Sequence, residues 1–278
     1  MMNTKTGNTI LVALAMASFV AACSNDYLNE SAINLRQSMG ANVEPVAVTT
    51  TPDGLTTFVL DVQTGIYSVK ESGDVHLVLA IEDFPDPGVE IRPPFTDLVA
   101  LDKNRLAITA VGDGFLLDLD KGTMELYFCY EPGFDGGPGE PQPSIWQRTD
   151  AATYWPLEDK IIAQPRTYDE FENHLRSDIG FYNRETGVDE AWMTLPEETL
   201  AGGMIIDDKG QIHLGVDHKI LRPLENGNVQ EIVDLTYLGI KRIDGMTYSG
   251  TKLLILDGER DRLHIVDAEI LNAESVEK

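Results

Sequence analysis

Four aspartates, each followed directly by a glycine, lie beside predicted strands, where a carboxylate could hold a metal ion. They are Asp53, Asp113, Asp244 and Asp257. Ca²⁺ prefers oxygen ligands of this type, so the four predict a divalent cation site if the fold brings them together. Aspartate beside glycine is also ordinary turn chemistry, in which the side chain caps the local backbone. The sequence has no Asp-x-Asp-x-Asp-Gly loop, and we favour the turn interpretation.

A second group of candidate residues is aromatic. Trp146, Tyr154, Trp155 and Trp192 cluster along the chain near an acidic segment, residues 164–178. Aromatic faces beside carboxylates suit a sugar or a peptide, so the group predicts a ligand platform. Core packing of a large repeat is the alternative interpretation.

Motifs for other chemistry are absent from the chain. There is no Gly-x-Ser-x-Gly elbow, no Walker loop and no Gly-x-Gly-x-x-Gly that opens a helix. His213 and His218 are five residues apart, and a metal shared between them needs Asp217 or a distant ligand. We favour ordinary structural histidines.

The charge of the chain limits its partners. Lys and Arg number 21 against 46 Asp and Glu, a formal net charge of −25. So acidic a protein repels nucleic acid and other polyanions, and no nucleic-acid partner is expected. Cations and basic partners are compatible with this charge.

Short strands in a repeat are the elements that must position these residues. Apolar or alternating runs are separated by Gly, Asp and Asn turns, which is typical of all-β proteins. Second strands begin near residues 56, 105, 160, 211 and 252, a spacing within the range for four-stranded blades. The sequence therefore predicts an all-β fold, a β-propeller of five four-stranded blades. Six blades remain an alternative if residues 84–95 hide a degenerate one.

The last repeat lacks an outer strand, so the ring needs one from elsewhere. An unassigned segment, residues 32–37, precedes the first repeat, and we predict that this N-terminal strand closes the ring. Residues 268–272 are the alternative. Two long insertions interrupt the rhythm: a loop rich in Pro and Gly at residues 131–145, and residues 164–178, where a short helix is expected at 168–175.

The N-terminus has the plan of a secretory signal: Lys5, an apolar run over residues 10–20, then small residues. Its end, Val20-Ala21-Ala22-Cys23, resembles the bacterial lipobox. That resemblance implies cleavage before Cys23, lipidation of this cysteine, and an anchor in the cell envelope. Ser24 after the cysteine favours the outer membrane by the same analogy. We expect a signal peptide at 1–22, a lipidated cysteine with a polar tether at 23–45, and the propeller at 46–278.

The repeat units are similar to blades of the NHL, YVTN and SMP-30/gluconolactonase-like propellers. The unit that carries the resemblance reads Ile243-Asp244-Gly245-Met246, then residues 252–257 and 261–267. The enzyme branch of that group implies one divalent cation on the central axis, but its ligand motif matches no particular residues here. We expect a lipid-anchored binding or assembly scaffold for a protein or small ligand, without a required cofactor. The alternatives are a metal-dependent hydrolase or lactonase of the SMP-30 type, and a solute or sugar sensor that uses the aromatic group.

Overall fold

The computed structural model describes residues 31–89, 91, 94–110, 113–129, 149–168, 174–183, 188–196 and 199–272. These residues form twenty strands, one short α-helix and four 3₁₀ turns. The strands and helix, in chain order, are β1 (Ser31–Asn34), α1 (Leu35–Met39), β2 (Pro45–Thr50), β3 (Thr57–Asp61), β4 (Gly65–Val69), β5 (Val75–Ala80), β6 (Phe95–Ala100), β7 (Arg105–Ala110), β8 (Asp113–Asp118), β9 (Thr123–Cys129), β10 (Thr149–Trp155), β11 (Lys160–Tyr168), β12 (His174–Asn183), β13 (Val188–Leu195), β14 (Gly203–Ile206), β15 (Ile212–Val216), β16 (Lys219–Pro223), β17 (Val229–Asp234), β18 (Gly245–Ser249), β19 (Lys252–Asp257) and β20 (Arg262–Asp267). The 3₁₀ turns are Ile81–Asp83, Thr236–Leu238, Gly258–Arg260 and Ala268–Asn272.

The strands form five antiparallel sheets of four, and each sheet is one blade of a β-propeller. Blades 1 to 4 use consecutive strands, β2–β5, β6–β9, β10–β13 and β14–β17, and blade 5 has the order β18-β19-β20-β1. The first strand of each blade contacts the first strands of its neighbours, so that β2, β6, β10, β14 and β18 make an inner ring. The prediction of five four-stranded blades is confirmed, and residues 84–89 contain no strand that would start a sixth.

The apolar runs form strands because each blade is buried on both faces. β19 contains Leu253-Leu254-Ile255-Leu256, all at most 2% exposed. Successive side chains of a strand point to opposite faces of the sheet. Leu253 and Ile255 accordingly join the core cluster between blades 4 and 5, while Leu254 and Leu256 join the one between blades 5 and 1. A continuous apolar strand therefore serves two interfaces.

The N-terminal segment closes the ring, as the sequence predicts. β1 pairs antiparallel with β20 and supplies the outer strand of blade 5. Ile33 and Leu35 are buried in the cluster between blades 5 and 1. Arg36 of α1 pairs with Asp261 at 2.7 Å. The other candidate, Ala268–Asn272, forms a 3₁₀ turn, and the ring already includes residues 31–45 of the expected tether.

Two ends of the ring matter for function. The upper face is the end of the ring that carries the connections between blades and, within each blade, the turn between the second and third strands. The lower face carries the turns between first and second strands and those between third and fourth strands. The first strand of every blade runs from the upper to the lower face, because the five blades repeat one antiparallel order.

The third blade differs from its prediction. The helix expected at residues 168–175 is wrong where the structure describes it, because Tyr168 ends β11 and His174 begins β12. The two strands pair from Lys160 opposite Asn183 to Tyr168 opposite His174, so the insertion lengthens a hairpin. The Pro- and Gly-rich loop at 131–145 lies outside the described residues.

Polar side chains bridge neighbouring blades. The hydroxyl of Thr49 accepts a hydrogen bond from the Ala100 amide at 3.0 Å, which joins blades 1 and 2. The carboxylate of Asp97 accepts from the Ala152 amide and joins blades 2 and 3. Within the described ranges, no helix is long and apolar enough to cross a membrane.

Candidate functional site

A cavity of about 400 Å³ opens on the upper face, where the connections between blades converge. Blades 1, 2, 4 and 5 contribute to its wall. The lining residues are Glu44, Val46, Val62, Pro94, Phe95, Thr96, Leu200, Ala201, Gly202, Asp217, Arg242, Ile243 and Asp244. Three of these side chains are carboxylates and one is a cation, so the wall is acidic. Its volume lies in the range of small-ligand sites.

Asp244 is the most constrained of the three carboxylates. Its Oδ1 accepts from Nε of Arg242 at 2.7 Å, and its Oδ2 accepts from the Gly258 amide at 2.9 Å. The side chain is only 18% exposed. Burial raises the pKa of Asp244, and the Arg242 guanidinium opposes that rise. The negative charge of Asp244 is thus held in a partly desolvated position, where it interacts strongly with a cation.

Asp217 and Glu44 bring the other two carboxylates from distant parts of the chain. Asp217 occupies the β15–β16 turn with a φ of 53°, a left-handed conformation that few residues other than glycine adopt. Its carbonyl accepts from the Ile243 amide at 2.6 Å, which fixes the turn against blade 5. Glu44 precedes β2 and accepts from the Gln63 side chain at 3.0 Å. Glu44 and Arg242 are not among the site residues predicted from the sequence, and Asp217 is predicted only as a partner of the histidines.

The four aspartates proposed as metal ligands do not meet at one place. Asp53 lies in the β2–β3 turn on the lower face, where Oδ1 accepts from the Thr51 hydroxyl at 2.5 Å and the Leu55 amide at 3.0 Å. The Thr51 hydroxyl lowers the pKa of Asp53. Asp244 lies on the upper face near Asp257, which is fully buried at the upper end of β19 and adds to the rise in the pKa of Asp244. Asp113 begins β8, and its side chain lies outside the described part of the structure.

These positions test whether the divalent cation implied by the resemblance fits the chain. A divalent cation needs several ligands together, about six to eight oxygens for Ca²⁺. Asp257 accepts from the Lys241 amide at 3.1 Å and does not line the cavity. Over the ranges that the structure describes, no three His, Cys, Asp or Glu side chains are grouped to hold a metal ion. The described residues therefore contain no assembled set of ligands for an axial metal.

A second cavity, of about 300 Å³, opens on the lower face and is lined by all five blades. Its wall carries many hydroxyl groups, from Thr49, Thr50, Thr51, Thr153, Tyr154, Thr247 and Tyr248. Asp53 is the single carboxylate in the lining. The two cavities thus differ in chemistry: the upper one is acidic and the lower one is rich in neutral hydroxyls.

The structure brings together two of the four aromatic candidates. Trp155 and Trp192 stack with ring centroids 6.0 Å apart, and Phe181 meets Trp192 edge-on at 6.3 Å. Trp155 and Phe181 also pack against the core cluster between blades 3 and 4. Tyr154 donates to Asp159 at 2.6 Å and lines the lower cavity instead. Trp146 lies outside the described residues.

Solved structures resemble the ring at low sequence identity. A Bacteroides thetaiotaomicron protein of unknown function is 12% identical with a TM-score of 0.48. The alignment covers 79% of this chain and 58% of the Bacteroides chain. The extracellular domain of a putative one-component system from the same species is 10% identical with a TM-score of 0.45. That alignment covers 87% of this chain and 40% of the other chain. A gluconolactonase from Xanthomonas campestris is 8% identical with a TM-score of 0.49. That alignment covers 81% of this chain and 86% of the gluconolactonase.

The chain spans less than two thirds of the two Bacteroides proteins. No protein-family model and no curated protein matches it. The assignment as a β-propeller rests on the strand topology, and the activity of the gluconolactonase belongs to that protein.

The two histidines singled out in the sequence do not share a ligand. His213 is 1% exposed and lies between blades 4 and 5, with its Nε2 3.5 Å from Oδ2 of Asp207. His218 is partly exposed and faces Asp234 at 3.8 Å. Burial lowers the pKa of His213, the nearby Arg222 lowers it further, and Asp207 opposes the shift. His213 is therefore neutral in the folded protein at pH 7.

This burial predicts that stability falls on acidification. The pKa of His213 in the folded protein lies below its ordinary value of 6.5, so the unfolded chain binds more protons between those two values. We expect the melting temperature to begin falling as the pH drops through 6.5, and to fall less in a His213→Leu variant. Melting curves between pH 7.5 and 5 test this. An equal decline in both proteins would show that His213 does not contribute.

Proposed function

We propose that the protein is a lipid-anchored, non-enzymatic binding propeller of the cell envelope, and that its ligand binds in the upper cavity. The observation that carries this proposal is the acidic wall, to which three separate connections contribute Glu44, Asp217 and Asp244. Loops on a rigid scaffold are where binding residues concentrate. The five inner strands supply that scaffold.

The chemistry of the wall favours a ligand with a positively charged group, an amine or a guanidinium. Such a group would offset the cost of keeping Asp244 ionised in a partly buried position. The net charge of −25 would also attract cations to the mouth. The ligand is either a small molecule or a basic segment of an envelope protein, since both carry these groups.

Anchoring is proposed from the sequence. The Val20–Cys23 motif supports lipidation of Cys23 after removal of residues 1–22, and Ser24 supports the outer membrane as the destination. An acylated N-terminus holds a globular domain at a surface without a membrane-spanning helix. The membrane is then the partner of the N-terminus, and the ligand is the partner of the upper face.

A metal-dependent hydrolase or lactonase is the second candidate. One observation favours it: Oδ1 of Asp257 is buried and has no hydrogen-bond partner within the described part of the chain. A buried carboxylate oxygen without a donor is costly and is a reason to consider a cation. Asp257 does not line the upper cavity, however, and the acidic wall of that cavity favours the binding role instead.

Titration with small cations tests the proposed site. We expect spermidine and arginine amide to raise the melting temperature in 150 mM salt, while glutarate and glucose leave it unchanged. Asp217→Asn or Asp244→Asn is expected to weaken binding about tenfold, because each removes one charged acceptor. Asp53→Asn is the matched control, since it removes an equal charge from the lower face and should bind like the unaltered protein. Equal weakening in all three variants would contradict a site in the upper cavity.

A further inference from the structure

The direction of β1 shows which of its two ends lies closer to the lower face. Ser31 pairs with Ile265 and Asn34 with Arg262, so β1 runs antiparallel to β20. β20 ends at Asp267, which pairs with Lys252 at the lower end of β19. β1 therefore starts two residues above the lower end of β20 and runs toward the upper face. Ser31, the first described residue, is thus closer to the lower face than Asn34 is.

The distance between the proposed anchor and the ring is short. Seven residues, 24–30, separate Cys23 from Ser31. The eight residue steps from Cys23 to Ser31 span at most about 29 Å when fully extended. Ser31 is therefore held within about 29 Å of any membrane that contains the Cys23 lipid.

The lower face also carries the two most exposed leucines of the described residues. Leu55 is 84% exposed in the β2–β3 turn, and Leu157 is 76% exposed in the β10–β11 turn. Pro52 and Pro156, in the same two turns, both line the lower cavity, so the two leucines belong to turns that border it. A single exposed leucine is ordinary on a soluble protein. Two on the face closer to Ser31, on different blades, are suited to contact with lipid.

We infer that the lower face lies against the membrane, with Leu55 and Leu157 inserted into the lipid surface, and that the upper cavity points away from it. This inference rests on the proposed lipidation of Cys23. Insertion of apolar side chains beside an acyl anchor adds a second membrane contact, and membrane attachment by two contacts is far more durable than by one. The orientation leaves the acidic cavity open to ligands that arrive from the aqueous side.

Charge decides which lipid the test uses. The same two turns carry carboxylates: Asp53 is two residues before Leu55, and Glu158 and Asp159 follow Leu157. Anionic headgroups would repel these carboxylates, so vesicles of phosphatidylcholine are the suitable probe. The full lipidated protein is reconstituted into them, and the mass of its N-terminal peptide reports whether Cys23 carries lipid.

The main experiment places one fluorescent label at a time on a cysteine in a Cys129→Ser background. Leu55→Cys and Leu157→Cys probe the lower face. Val89→Cys is the matched control, because Val89 is an exposed apolar residue, 41% exposed, in the connection on the upper face. We expect spin-labelled lipids to quench the first two labels at least twofold more than the third. Quenching at position 89 alone, or equal quenching at all three, would overturn the orientation.

A second measurement needs no substitution. Hydrogen exchange of the unaltered lipoprotein on vesicles should slow at residues 51–56 and 156–159 relative to the unlipidated chain, and stay unchanged at 217–218. A lipidated protein without this protection refutes the orientation but leaves the anchor and the upper site intact. A protein that carries no lipid at Cys23 refutes the anchor and this inference together, while cation binding in the upper cavity is still measured separately.

Discussion

Replacing Leu35 with alanine is expected to lower the free energy of unfolding by about 3 kcal/mol, as for other fully buried leucines. Leu35 has no exposed surface and belongs to the core cluster between blades 5 and 1. Its amide donates to the Asp261 carbonyl at 2.8 Å, so side chain and backbone both hold the closing segment in place. The substitution leaves a cavity at the point where the two ends of the ring meet.

Urea unfolding measures this effect, and the melting temperature should fall by roughly 2–4 °C per kcal/mol. Leu55→Ala is the control, because Leu55 is 84% exposed and its loss should change the free energy by less than about 0.5 kcal/mol. Equal stability of the two variants would mean that the N-terminal segment does not contribute to ring closure.

Gly202→Ala is expected to cost about 3 kcal/mol, at the upper end of the range for overpacking a core. A Cβ at this position would lie 2.0 Å from the carbonyl oxygen of Ile243 in the connection to blade 5. The clash is with backbone, so no side-chain rotation relieves it, and blades 4 and 5 must move apart. Gly202 and Ile243 both line the upper cavity, so cation binding should weaken in the same variant.

Gly250→Ala is the control for this substitution. Gly250 has a φ of 59° and nothing within 4 Å of an added Cβ, so only the left-handed conformation is penalised, by about 1 kcal/mol. Urea unfolding and spermidine titration of both variants make the comparison. A Gly202→Ala protein no less stable than Gly250→Ala would contradict the close approach of blades 4 and 5.

The repeat was predictable because each strand is recognisable from the pattern of apolar residues within its own few positions. In Leu253-Leu254-Ile255-Leu256, alternate side chains pack against the blades on either side of blade 5. Every blade needs strands that are apolar on both faces. The closing strand followed from a missing partner: blade 5 had three strands, and an edge left unpaired must be covered. The extended hairpin of blade 3 was mistaken for a helix because its polar residues show no period that separates the two structures.

The candidate site was less predictable, because ring closure assembles it from distant segments. Glu44 and Asp244 are 200 residues apart in the chain and line one cavity only because blade 5 returns beside blade 1. Asp53 and Asp244 share the same Asp-Gly pattern but lie on opposite faces, since Asp53 follows a first strand and Asp244 precedes one. A local motif cannot distinguish these two ends of a strand.

The central claim is that the upper cavity binds its ligand without a catalytic metal. Elemental analysis of the chain from Ser24 to Lys278, purified without chelator, tests it most directly when combined with melting curves before and after EDTA. We expect no stoichiometric divalent metal and an unchanged melting temperature, because no three carboxylate, imidazole or thiolate side chains are grouped among the described residues. One equivalent of Ca²⁺ or Zn²⁺, with a lower melting temperature after its removal, would contradict the binding role and favour the metal-dependent hydrolase.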